Sequence, residues 1–371
     1  MEFPSSSQAE AGLQREAASE ESAVPPGRTG PQRTTRLLLL AAVLGVCNRN
    51  YWQYSDTDHY WPKYWLPFVH GTGLAPEQYR VGVKLTAWWL VQHLGWGFRH
   101  GFALMDVVSS LLAVFLLYDL LQRKRLVRYA SAEMQWFASA AFVMLVCFYL
   151  AWSEFFFRPE TLPTVGLAAV MFWLWSPRSS SPPSGSRQVV LACGVIAAAA
   201  LQAWIRADVA CLLNFGMLLV CFSRFGHGLS LPRRAAVLTS SAAIAVAGAI
   251  QLYIMRVMYP HTSYGSIPIV MARYDLRQPL TFPPFIFFIL PIVWTGVYFW
   301  RQRAGEDGAS AGLIVGSALY LILWIVMGKL DEVRIFIPFA LALAPLTVEL
   351  AVRRIRNDSA ASGSDEATAR M

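Results

Sequence analysis

Long apolar runs recur along the chain, each closed by a short polar or charged stretch. They fall at residues 36–54, 98–121, 133–151, 161–176, 188–204, 208–223, 235–257, 282–300, 309–328 and 334–351. A bilayer core about 30 Å thick needs roughly 20 apolar residues in a helix. The pattern therefore predicts an all-α polytopic membrane protein with about ten transmembrane helices. Short segments of alternating polarity, the mark of a membrane β-barrel, are not seen. The first run is irregular. Its strictly apolar part, residues 37–47, covers only about 17 Å, so it spans only if the helix continues through NRNYWQY. Residues 77–96 differ again. They carry Arg80, Lys84 and His93 on an otherwise apolar segment, which predicts a helix lying in the membrane interface.

Composition agrees with this picture. Of 371 residues, 56% are apolar and 15% are charged, against about 25% charged in a soluble domain. Residues 1–35 are rich in Ser, Ala, Glu, Pro and Gly, and residues 357–371 are similar. Both read as disordered tails flanking a single membrane domain at 36–356. The net charge of +8 needs no nucleic acid, because cytoplasmic loops of membrane proteins collect Lys and Arg. QRKRLVR (122–128), PRSSSPPSGSR (177–187), SRFGHGLSLPRR (223–234), WRQR (300–303) and RRIR (353–356) are all basic. They share one side if ten helices alternate and 77–96 does not cross. The positive-inside rule makes that side cytoplasmic, together with both termini. The expected location is the inner membrane of a bacterium or the endoplasmic reticulum of a eukaryote. The five cysteines lie in apolar runs without a CxxC pair and read as small packing residues.

The opposite face gathers the carboxylates. Its loops hold SDTDHYW (55–61), SEFFFRPE (153–160), IRAD (205–208), residues 259–277 and GKLDEVR (328–334). Asp56 and Asp58 come first. In extended geometry residues two apart point the same way, so an extended DTD could aim both carboxylates at one acceptor hydroxyl or one divalent metal ion. No cofactor is required; a metal is an option. A carboxylate at a partly dehydrated interface also suits a general base. His59 lies beside the pair. Arg158 precedes a proline and Glu160 sits at the positive end of the next helix. Arg206 with Asp208, and Glu332 with Arg334, lie where helices leave the bilayer. A charge there is paired or faces water. Arginines so placed suit a phosphate, and pairing with the neighbouring acids is the competing account. Asp106 is a lone acid within an apolar run, set either to pair with a neighbouring helix or to line a cavity. No Walker, G-x-S-x-G, HExxH or CxxCH motif is present, so direct ATP use, serine hydrolysis, zinc proteolysis and c-type haem have no support.

The placement of DTD after the first helix, the interfacial segment 77–96, RPETLPTVGLAAVMFWL and LDEVRIFIPFALALAPL together resemble the GT-C superfamily of integral-membrane glycosyltransferases. The last stretch is similar to the H-K-E-x-R-F-x-x-P segment of eukaryotic GPI and N-glycan mannosyltransferases, departing from it at Leu330 and Asp331. The resemblance implies a sugar donor carried on polyprenyl or dolichyl phosphate. It also implies a catalytic role for Asp56 or Asp58, and places Arg158, Glu332 and Arg334 in the donor site. The acceptor is a glycan, lipid or protein. Two other classes compete. A transporter or lipid flippase predicts ionisable residues near the midplane and an internal repeat. A non-catalytic scaffold predicts that all the outer charge clusters tolerate neutral substitution.

Overall fold

The computed structural model describes residues 30–60, 65–75, 77–128, 130–153, 158–177, 183–262, 275, 277, 282–301, 307–327 and 332–369. Of residues 30, 31, 56–60, 125, 227 and 359–369 it describes the backbone alone. The described residues are helical and contain no strand. In chain order the main helices are α1 (Gly30–Tyr60), α2 (Gly82–Leu94), α3 (Phe98–Arg123), α4 (Ala132–Ala151), α5 (Thr161–Trp175), α6 (Gly185–Cys221), α7 (Arg233–Tyr253), α8 (Phe282–Arg301), α9 (Gly308–Met327) and α10 (Ile337–Ala369). A π-helical turn, Ile254–Met258, extends α7, and a 3-10 turn, Val333–Phe336, leads into α10. Seven helices among the described residues are long and apolar enough to cross a membrane, and α5 is a shorter apolar helix. The protein is thus an all-α, multi-pass integral membrane protein.

Contacts near the helix termini define two ends. At one end Gln32 of α1 meets Gln122 of α3, and the Ser230 hydroxyl donates to the Leu174 carbonyl at 2.6 Å. Phe225 packs on Trp300 there. At the other end Arg99 donates to Ser55 at 2.7 Å, and Arg49 donates to the Ala151 carbonyl. Trp204 packs on Tyr253 at this same end. The basic stretches around 122–128, 177–187 and 223–234 belong to the first end. Glu77, Glu160, Asp208 and Glu332 belong to the second, while Asp119, Asp307 and Glu349 lie at the first.

Burial is uneven, as expected of a bundle solvated by lipid. The apolar window of α10 and its leading turn is 83% buried, against 22% for α8. With Leu341, Ala342, Leu343 and Ala344 all inside, α10 is enclosed by the other helices, while α8 presents Phe287 and Leu290 outward. α6 and α9 meet through glycines. A Cβ at Gly216 would strike the backbone of Gly312 and Gly316. Small residues let two backbones approach this closely, which is how helices gain packing contacts in lipid.

Several sequence expectations change here. Residues 188–204 and 208–223 belong to one element, α6, whose helix is broken at Arg206 (φ −155°, ψ 90°). On a straight helix residues 194 and 214 would stand about 30 Å apart. Yet Gly194 packs on Leu174, and Asn214 accepts a hydrogen bond from the adjacent Trp175. The chain therefore doubles back at Arg206. The backbone of α1 stays helical through Tyr60, so Asp56 and Asp58 sit on a helix, not in an extended segment. Helical positions two apart lie about 200° apart around the axis. The geometric reason for both carboxylates to meet one metal is lost. α10 also continues past Asn357, where composition predicts a tail. All five cysteines are free.

Candidate functional site

Charged residues from five separate elements meet at the second of these ends. The 3-10 turn Glu77–Tyr79 and α2 supply Glu77, Arg80 and Lys84. The approach to α5 supplies Arg158 and Glu160, the break in α6 supplies Arg206 and Asp208, and the turn before α10 supplies Glu332 and Arg334. α9 contributes Tyr320.

Their contacts cross between elements. Arg158 forms an ion pair with Glu77. Arg80 approaches Glu160 at 3.5 Å. The Lys84 ammonium donates to the carbonyls of Glu77 at 3.2 Å and Arg80 at 3.1 Å, and lies 4.9 Å over the Phe68 ring. These contacts tie the interfacial helix α2 to the start of α5. Arg206 grips both oxygens of Asp208, at 3.3 Å from Nε and 2.5 Å from a terminal nitrogen, and donates to the Tyr320 hydroxyl at 2.6 Å. That hydroxyl in turn donates to the Ile335 carbonyl at 3.2 Å. Tyr320 thus couples the α6 break to the turn carrying Arg334, which pairs with Glu332 at 2.8 Å. The groups are also electrostatic neighbours: Glu160 lies within reach of Arg206, and Arg80 within reach of Asp208.

Glu160 and Glu332 are both held below their ordinary values. Burial alone would raise the Glu160 carboxyl, but Lys84, Arg80 and Arg158 together hold it down to about 2. Glu332 is likewise pulled below its ordinary value despite burial, chiefly by Arg334, with Arg158 and Arg80 adding to the effect. Burial lowers the Lys84 ammonium, and Glu160 and Glu77 only partly restore it. A carboxylate held this low is a poor proton acceptor at neutral pH. Glu160 and Glu332 therefore hold cations in place. Among the described residues the cluster brings together five cations (Arg80, Lys84, Arg158, Arg206, Arg334) and four acids (Glu77, Glu160, Asp208, Glu332). One oxygen of Glu160, Oε2, is buried without a hydrogen-bond partner among the described residues.

Of the residues singled out in the sequence, Arg158, Glu160, Arg206, Asp208, Glu332 and Arg334 come together here. Arg206 pairs with Asp208, and Arg334 with Glu332, which is the account that competed with phosphate binding. The side chains of Asp56, Asp58 and His59 lie outside the described residues, as do Glu154 and most of 259–277. The helix that carries the DTD does reach this end. Tyr54 donates to Asp106 Oδ2 at 3.0 Å, Asn50 donates to the same oxygen at 3.1 Å, and Tyr54 lies within electrostatic reach of Glu160. Asp106 thus pairs with a neighbouring helix. Among the described residues no group of three His, Cys, Asp or Glu could hold a metal ion. Glu77 and Tyr320 carried no sequence signal, because one is a lone acid and the other sits inside an apolar run. Arg80 and Lys84 were visible as the polar face of an amphipathic helix, but nothing in their spacing linked them to Glu160.

Set against known proteins, the chain matches no family model, no curated protein and no solved structure.

Proposed function

We propose that the protein is a GT-C-type glycosyltransferase. It moves a sugar from a lipid-phosphate donor to an acceptor at the extracytoplasmic end, with inversion. The observation that carries the reading is the cluster of five cations and four acids that the described residues gather from five elements at one end of the bundle. Arginines gathered from several elements suit a phosphate anchored by a hydrocarbon tail. The ten-span topology belongs to the same proposal. The seven long helices, α1, α5 and the doubling of α6 at Arg206 make ten crossings. That puts the basic loops and both termini in the cytoplasm.

In this mechanism the donor enters sideways from the lipid. Arg206 and Arg334 receive its phosphate, with Arg158 and Arg80 completing the positive wall. The acceptor hydroxyl oxygen attacks the anomeric carbon. The carbon–oxygen bond to phosphate breaks, and the electron pair leaves with the lipid phosphate. The acceptor proton passes to a carboxylate at the end of α1, Asp56 or Asp58. Because the two stand on a helix, one of them acts as base and the other supports it.

The test uses the full-length protein in proteoliposomes with a polyprenyl-phosphate hexose donor. Asp56→Asn and Asp58→Asn are measured separately and together. Loss of a general base lowers turnover by about 10²–10⁴-fold. The expected result is a loss of that size in one single variant and in the double, with folding unchanged. Full turnover in the double variant would sink the proposal. A transporter is disfavoured by the position of the charges, which gather at one end of the bundle and not at its midplane.

A further inference from the structure

Between α1 and α3, at the end away from the charged cluster, lies a cavity of about 320 Å³ lined by Gln32, Arg36, Phe115, Tyr118, Asp119 and Gln122. Its polar groups carry both signs of charge. Arg36 is exposed and has no carboxylate partner among the described residues. Asp119 receives the Trp173 indole N–H at 2.8 Å and an ion pair from Arg123, both on Oδ2, and its side chain keeps 45% of its surface. The amide of Gln32 reaches that of Gln122 at 3.5 Å across the cavity. Tyr118 is 2% exposed, and its hydroxyl is buried without a hydrogen-bond partner among the described residues. A buried hydroxyl left unmet is destabilising, and Tyr118 is one of the residues lining the cavity.

The level of the cavity matters. Arg36 is the last charged residue before the apolar run that opens at Leu37. Leu37 and Leu38 are 66% and 51% exposed. On α3, residues 108, 112, 115, 119 and 122 share one face by helical spacing, and Val108 and Leu112 on that face are outward-facing. An apolar strip thus leads from the cavity toward the middle of the membrane, while the cavity itself sits where headgroups begin.

We propose that this cavity binds the headgroup of a zwitterionic phospholipid bearing a primary amine, of the phosphatidylethanolamine type. The phosphate is met by the Arg36 guanidinium and the Tyr118 hydroxyl. The ammonium donates to Asp119 and to a glutamine side-chain oxygen. One acyl chain lies along Leu112 and Val108. A choline headgroup has no N–H to donate, and a glycerol headgroup has no cation for Asp119. The cavity is at the opposite end from the proposed transfer site, so lipid retention and sugar transfer can fail separately.

The test takes the full-length protein in nanodiscs with equal phosphatidylethanolamine, phosphatidylcholine and phosphatidylglycerol, and counts the retained lipids by native mass spectrometry. Phosphatidylethanolamine is expected to dominate. Arg36→Gln, an exposed substitution that leaves the fold intact, should cut its retention about tenfold by removing a charge-assisted contact. Tyr118→Phe should cut it about threefold. Glycerophosphoethanolamine, which has the headgroup without the tails, should not displace the lipid. Equal retention of the three lipids, unchanged retention in Arg36→Gln, or displacement by the soluble headgroup would each overturn the proposal.

Discussion

The two ends of the bundle both hold buried charges, but they are wired differently. At the basic end the Lys124 ammonium lies between the carboxylates of Asp307 and Glu349, Ser310 donates to Asp307, and Arg353 closes on Glu349. Two bases meet two acids, and three helices are fastened at one point. Despite burial, Asp307 and Glu349 hold the Lys124 ammonium above its ordinary value, and Lys124 holds Asp307 below its own. The other end spreads nine charged side chains of the described residues over five elements and leaves Glu160 Oε2 unmet among them. A locally satisfied set of charges on neighbouring helix ends is a clamp. One that draws on many elements and leaves a buried oxygen unmet is the better candidate for a site.

The sharpest way to break the comparison is to remove one cation at each end. Arg206→Lys keeps the charge but loses the planar fork that grips Asp208 and Tyr320. Turnover in the lipid-phosphate assay should fall about 100-fold, with thermal stability nearly kept. Lys124→Met should do the reverse. It leaves the partly buried Asp307 without its cation and Glu349 with Arg353 alone, and costs up to about 3 kcal/mol in denaturant unfolding, while the surviving folded fraction transfers sugar at the normal rate. Equal loss of activity in both variants would erase the distinction between clamp and site.

Acid should act through Glu160. Its folded value of about 2 lies below the ordinary 4.5. The stability it contributes is complete above that ordinary value and drains away as pH falls toward 2. Roughly 3 kcal/mol is at stake. Thermal unfolding followed by tryptophan fluorescence between about pH 6 and pH 2 reads this loss. Glu160→Gln should flatten the profile. The smallest expected effect is Tyr320→Phe, which deletes the hydroxyl joining Arg206 to Ile335. It should cost about 1–2 kcal/mol and a modest part of turnover.

Much of this arrangement is legible along the chain. The apolar runs mark the helices because a helix in lipid must satisfy its backbone internally and present apolar side chains over its full length. The sequence singled out Asp56, Arg158, Arg206 and Glu332; the last three share one end of the bundle, and the side chain of Asp56 lies outside the described residues. The acids Asp119, Asp307 and Glu349, at the other end, were not picked out. What escaped was three-dimensional pairing. Periodicity does not say that Lys84 will turn its ammonium onto the carbonyls of its own preceding turn, or that a tyrosine in an apolar run will bridge two distant turns. The break at Arg206 was visible as IRAD, a charged interruption. That it is made by a single non-helical residue was not. The helical state of DTD was missed because the pattern there is polar, and local propensity is weak against the continuation of a helix already 25 residues long.

Enclosure of α10 has a bearing on how the protein is made. The helices it packs against, α3, α4, α5, α8 and α9, all precede it in synthesis, so they are laid down around a vacant groove and the last helix fills it afterwards. Until then, the surfaces destined to touch Leu341 and Leu343 must be covered by lipid or by one another. Assembly is therefore sealed late, when Phe336 and Ile337 slide in beside Tyr320 and bring Arg334 to its place.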